Sequence, residues 1–115
     1  MEEKKLNLYF TNEKILSDLC QQLTKDIAVE GFEIKTGFPL QQAFEQLFNQ
    51  LLPLIRKLEK DNKAKLNFIL NRADISESQL VQSIQKNKAK PYAELVAELI
   101  IKRELQKVVI RNMQR

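Results

Sequence analysis

Apolar residues recur every three or four positions along most of the chain, the spacing that places them on one face of an α-helix. This pattern predicts an all-α fold, a bundle of four to five antiparallel helices in a single domain of residues 1–115, with the last helix the longest. The expected helices cover residues 12–29, 39–60, a short segment around 66–70, 76–86 and 91–112.

Local signals mark the ends of the first two helices. Asn12 is expected to cap the first helix, and Gly31 to end it as a C-terminal glycine cap. Pro39 fits the first position of the second helix, where the missing N–H costs nothing. Pro53 falls inside the second helix although the apolar spacing continues beyond it, so this helix is either kinked or broken at Leu52.

The fourth helix has the clearest start signal. Residues 59–65 are predicted to form a charged turn before a short third helix. Ser76 and Gln79 then have the spacing of a capping box, in which each side chain satisfies the other residue's free backbone N–H. The fourth helix is therefore expected to begin at Ser76 and to bury Leu80, Val81 and Ile84.

The last helix changes its apolar face halfway along. At 100° per residue, the apolar residues of its second half point away from those of its first half. The residues that change direction are Ile101, Leu105, Val108 and Val109. We interpret them as a protein–protein interface, which favours a non-enzymatic interaction or adaptor protein, as a homodimer or with another protein. The alternative is that the first helix, or residues 6–10, covers this surface within one chain.

The ends of the chain bear on location. Residues 1–10 are expected to form an arm that is either mobile or docked on a helix. The charged residues 1–5 lack the apolar core of a leader peptide, and no apolar run approaches the roughly 20 residues that span a bilayer. A cytoplasmic location without membrane contact is therefore predicted.

Composition removes most catalytic chemistry. The chain has no histidine, which excludes Ser-His-Asp and Cys-His catalysis and imidazole metal sites. Cys20 is the only cysteine, and its helical spacing from Leu16 predicts a small buried hydrophobe. The two glycines form no phosphate-binding loop. The sequence therefore predicts no catalytic residue, no metal site and no cofactor.

Charge divides the chain unequally. Residues 1–55 carry eight acids and five bases, whereas residues 56–115 carry seven acids and fourteen bases. This asymmetry indicates either an acidic partner for the second half or attraction between the halves. The alternative function is weak, salt-dependent nucleic-acid binding by one basic surface. Its residues would be Lys86, Lys88, Lys90, Lys102, Arg103, Lys107 and Arg111.

Two segments of the chain resemble known proteins. Residues 66–77, with the sequence LNFILNRADISE, and residues 99–107, with LIIKRELQK, resemble small uncharacterised all-helical bacterial proteins that have no assigned activity. Over residues 66–111 the resemblance implies a helical fold and a bacterial, cytoplasmic setting. It implies no site residue.

Overall fold

The computed structural model describes residues 8–113, which contain five α-helices and no β-strand. The helices are α1 (Glu13–Ile27), α2 (Ala43–Asp61), α3 (Lys63–Arg72), α4 (Glu77–Lys86) and α5 (Tyr92–Met113). Short 3-10 turns at Tyr9–Thr11 and Leu40–Gln42 precede α1 and α2. The predicted all-α class, with the last helix the longest, is confirmed.

Helix α5 is the central helix, because both α1 and α2 pack extensively along it. Polar contacts show that α1 runs antiparallel to its C-terminal half: Asp26 contacts Lys107, whereas Lys14 contacts Asn112. The side chains assigned to a free interface are all 0% exposed within the single chain, so that assignment is wrong and the alternative, coverage by the first helix, is confirmed. The corrected residues are Ile101, Leu105, Val108 and Val109.

The predicted N-cap of α1 is confirmed, whereas the predicted C-cap is wrong. Asn12 caps the helix as predicted, since its Oδ1 accepts a backbone N–H of the first turn at 3.0 Å. Gly31 is not the C-cap, because Ala28 takes the left-handed position with a φ of 47°. Gly31, at a φ of 80°, is instead the third residue of a turn that the Phe32 N–H closes onto the Val29 carbonyl at 3.1 Å.

Both prolines near α2 are accommodated. The prediction that Pro39 opens the α-helix is wrong. Pro39 has an extended ψ of 142° and precedes the 3-10 turn. Pro53 lies inside an unbroken α2, which removes the predicted alternative of a break at Leu52. Packing of the fully buried Leu51 and Ile55 offsets the roughly 3 kcal/mol that an internal proline costs.

The connectors are shorter than predicted where two helices follow each other directly. The charged turn expected over residues 59–65 is wrong, because only Asn62 separates α2 from α3. Its side chain oxygen accepts the N–H of Lys65 at 3.1 Å and so caps α3. A capping side chain therefore replaces the expected loop.

Most of the predicted arm, residues 1–7 of 1–10, lies outside the described residues. Phe10 is buried, and its ring meets that of Phe44 edge to face with 5.7 Å between centroids. The last part of the arm thus docks on α2.

Helix α4 forms as predicted but packs differently. The capping box of Ser76 and Gln79 is present, with hydrogen bonds of 3.1 and 2.9 Å. The expected burial of its apolar residues is wrong: Leu80 is half-buried, Val81 is 45% exposed and Ile84 is 39% exposed. The cause is that α4 lies outside the core, where no residue of this helix is fully buried.

Truncation of the second apolar face of α5 tests its role in the core. Leu105→Ala is expected to lower the free energy of unfolding by about 2–5 kcal/mol, because a fully buried leucine leaves a cavity among α1 and α5 side chains. Urea unfolding followed by circular dichroism measures this loss. The control, Ile110→Ala on the same helix, removes a side chain that is 47% exposed and should change stability by about 0.5 kcal/mol or less. Equal losses in the two variants would contradict the central position of α5.

Candidate functional site

The seven basic residues proposed for nucleic-acid binding do not all lie together: Lys107 and Arg111 contact α1, whereas the others lie beside the first part of α5 and the end of α4. Several of them contact protein groups: Lys107 donates to Asp26, Lys90 to Glu98, Arg103 to Gln106 and Arg111 to Gln22. The ion pairs of Lys107 and Arg72 with Asp26 support the alternative that the acidic and basic halves attract each other within the fold.

Four of the seven basic residues lie at or near α4. Lys86, Lys102 and Arg103 line a groove between α4 and α5, and Lys88 is exposed in the turn that follows α4. The continuous basic stripe of the sequence is therefore divided between internal contacts and a local groove.

The most buried charged groups of the described residues are Asp26 and Glu104, 4% and 1% exposed. Asp26 lies near the C-terminal end of α1 and Glu104 in the middle of α5, where they hydrogen-bond to each other. Two carboxyl groups can share a hydrogen bond only when one of them keeps its proton. The pair is therefore a protonated acid beside a carboxylate.

Polar groups from three helices surround this acid pair. The Lys107 ammonium lies 3.1 Å from Asp26 Oδ2 and donates to the Arg72 carbonyl at 2.9 Å. Gln22 Nε2 donates to the same Asp26 oxygen at 2.8 Å, and Arg72 Nη2 lies 3.5 Å from Oδ1. The cluster therefore joins α1, α3 and α5 at one point.

The environment shifts the pKa values of the two acids in opposite directions. Burial, together with the hydrogen bond and charge of Asp26, raises the pKa of Glu104 to about 8. Burial by itself would also raise the pKa of Asp26, but hydrogen bonds from Glu104, Gln22 and Lys107 outweigh burial and lower it. The raised pKa of Glu104 and the lowered pKa of Asp26 favour placing the shared proton on Glu104 at neutral pH.

This geometry fits a structural element better than a reaction centre. Side chains so deeply buried give a substrate no access to the acids, although acid pairs elsewhere serve in catalysis. Glu104 Oε2 has no hydrogen-bond partner within residues 8–113 and lies 3.6 Å from the Lys107 ammonium. The sequence contained a signal for this residue, since Glu104 follows Ile101 by three positions and precedes Val108 by four, within the second apolar face of α5.

Cys20 behaves as predicted. It is 5% exposed, and burial raises the pKa of its thiol, so the reactive thiolate is disfavoured. Among residues 8–113, no three cysteine, aspartate or glutamate side chains come together in a way that could hold a metal ion.

The surface around α4 is the remaining candidate. Its apolar residues Val81 and Ile84 face outward, whereas the polar side lines the groove with α5. A well-capped helix that turns its apolar side away from its neighbour is suited to binding.

Comparison with known proteins adds no assignment. The chain matches no family model, no curated protein and no solved structure. The resemblance carried by residues 66–77 and 99–107 stays an expectation. Within the part of the chain that the structure describes, no helix combines the length and apolar character needed to cross a membrane.

The acid pair predicts a pH-dependent stability. Glu104 keeps its proton up to about pH 8 in the native state but loses it near 4.5 in the unfolded chain. The stabilisation is complete below the lower value and is lost as pH rises towards the higher one, by at most about 1.4 kcal/mol per pH unit. Glu104→Gln removes the titrating proton while its amide still donates to Asp26, so its unfolding free energy should vary less across this window.

Urea unfolding at several pH values between about 5 and 8 compares the variant with the wild type. Asp26 does not contribute in this range, because its pKa is lowered from 3.8. Glu94→Gln, which changes a half-exposed side chain on the same helix, should keep the wild-type slope. A Glu104→Gln variant with the full wild-type slope would show that another group titrates.

Proposed function

We propose that this protein is non-enzymatic and acts through protein–protein interaction, associating with a second copy of itself through α4. The observation that supports the proposal is the outward-facing apolar side of α4, with Val81 at 45% and Ile84 at 39% exposure. This surface replaces the one that the sequence suggested on α5, whose residues are buried in the core.

Helix α4 is unusual for a helix of a small bundle. At ten residues it is shorter than the roughly 12–15 residues at which isolated helices become even marginally stable in water. Helices of this length normally gain stability by burying an apolar stripe. Among the described residues, Leu80 is the side chain of α4 that packs partly buried against the core, whereas Val81 and Ile84 keep 45% and 39% exposure and are available to a partner.

The outer surface of α4 is complementary to itself. Glu77, Val81, Ile84 and Lys88 recur at intervals of four, three and four residues and are all exposed. An antiparallel two-fold pairing that places Val81 against Ile84 of a second copy also brings Glu77 towards the turn of that copy that follows α4 and carries Lys88. We call these four residues the α4 stripe. Apolar contact at the centre and opposite charges at both ends favour a second copy as the partner.

The size of the α4 stripe sets the expected affinity of the dimer. Stable dimers bury about 800 Å² on each partner, more than one ten-residue helix face provides. The dimer is therefore weak, and its population depends on protein concentration.

Substitution within the α4 stripe tests the dimer. Ile84→Glu is expected to shift the mass measured by sedimentation equilibrium towards the single-chain 13.5 kDa, because it puts a charge into an apolar contact. The matched control is Ile110→Glu on α5, 47% exposed, which should leave association unchanged. Circular dichroism confirms that both variants remain folded.

A charge exchange distinguishes this pairing from non-specific association. Glu77→Lys and Lys88→Glu should each weaken association, because each creates like charges at both ends of the stripe. The double variant should recover it. A wild type that stays monomeric at all concentrations, or single variants that associate as the wild type does, would overturn the proposal.

A further inference from the structure

The segment that links α1 to α2 contains no helix or strand over residues 28–39, and none of residues 28–38 is fully buried. Three of its apolar side chains pack half-buried against the core: Phe32, Ile34 and Phe38. Within the described chain, residues 33–38 form no backbone–backbone hydrogen bond. We call residues 31–38 the strap. Because side-chain contacts are what mainly holds it, its local stability is low.

One side chain fixes the middle of the strap. Gln50 of α2 accepts the Lys35 N–H through Oε1 at 2.5 Å and donates from Nε2 to the Lys35 carbonyl at 3.0 Å. A single amide therefore satisfies both backbone groups of Lys35. Since these two hydrogen bonds are exposed to water, which competes for the same groups, they form a latch that can be released.

Glycines in the left-handed region lie on both sides of the latch. Gly31 has a φ of 80° and Gly37 has a φ of 94°, values that residues with a side chain rarely adopt. A Cβ added at either position would meet no atom within 4 Å, so backbone conformation rather than close packing favours glycine there. Hinge residues absorb large changes in φ and ψ, and glycine does so at little steric cost. The strap thus has a pivot on each side of Lys35.

The strap covers a cavity of about 250 Å³ on α1. Thr36, Gly37 and Phe38 line this cavity from the strap, and Leu16 and Cys20 line it from α1. Cys20 is only 5% exposed and is the only cysteine of the chain. Movement of the strap away from α1 exposes its thiol, which makes Cys20 a reporter of opening.

We propose that the strap is a gate that opens about Gly31 and Gly37 when the Gln50 latch is released, uncovering the cavity on α1 while α1 and α2 stay folded. Opening breaks two exposed hydrogen bonds and moves half-buried apolar side chains, so it costs much less than unfolding the bundle. No fully buried residue has to leave the core. The gate lies on α1 and α2 and is therefore independent of the α4 stripe.

Labelling of Cys20 in the full chain by an aromatic disulfide reagent tests the gate. The labelling rate, divided by the rate for the urea-unfolded chain, gives the open fraction. Below the unfolding transition this fraction is expected to change little with urea, because local opening exposes little new surface.

Two substitutions should raise the open fraction. Gln50→Ala removes the latch and is expected to raise it about threefold to tenfold. Gly37→Ala should also raise it, since alanine is strained at a positive φ in the closed strap. The matched control is Gln46→Ala, one turn earlier on α2. The Gln46 side chain hydrogen-bonds to Gln42 instead of the strap, so this variant should keep the wild-type rate.

Any of three results would refute the gate. An open fraction that follows global unfolding at every urea concentration would mean that the cavity opens only when the bundle unfolds. A native thiol that reacts as fast as in the unfolded chain would mean that the strap does not cover it. Equal rates for Gln50→Ala and Gln46→Ala would mean that the Gln50 amide is not a latch. Circular dichroism under the labelling conditions confirms that each variant is folded.

Discussion

The burial of α5 on opposite sides of its two halves is the constraint on which the rest of the structure depends. A single helix can bury opposite sides in its two halves only when different neighbours cover the two halves. Helix α1 lies antiparallel to the second half, and α2 supplies the other extensive contact along α5. Helix α3 joins the core through Leu66, Ile69 and Leu70. The bundle is therefore organised around its last helix.

The same arrangement explains the acid pair. The second face of α5 carries Glu104 among apolar residues, so covering that face with α1 also removes this carboxyl group from water. The cost of a buried charge is avoided because Glu104 keeps its proton and bonds to Asp26. Lys107 then balances the remaining charge and reaches the Arg72 carbonyl at the end of α3. A pH-sensitive cluster thus follows from the packing of the core.

Helix α4 does not take part in this core packing, and the proposed dimer surface lies on it. It adds no fully buried residue to the core, so its side chains are not committed to the fold. One side presents Val81 and Ile84 to a second copy of the chain. The other side, with Lys86, faces α5 across a polar groove. Loss of the α4 stripe should therefore leave the bundle intact.

The sequence by itself determined what is local in this protein. Helical spacing, the Asn12 cap and the Ser76–Gln79 capping box depend on neighbouring residues, so the helix content and these two starts were predictable. The absence of histidine likewise limits the possible chemistry, and composition is enough to show it. Periodicity also identified two apolar faces on α5, because the direction of a side chain on a helix follows from residue number.

Only the tertiary structure decided which faces are covered and by what. An apolar stripe has the same pattern whether a neighbouring helix, a second chain or water lies against it. The prediction therefore placed the second face of α5 at an interface and the outer side of α4 in the core. The structure has the reverse: Leu105 is in the core, and Val81 is at the surface. The partners of Glu104 and Lys107 are up to 81 residues away in sequence, and no local rule relates such positions. Long-range contacts were needed to divide the basic residues between internal pairs and the groove.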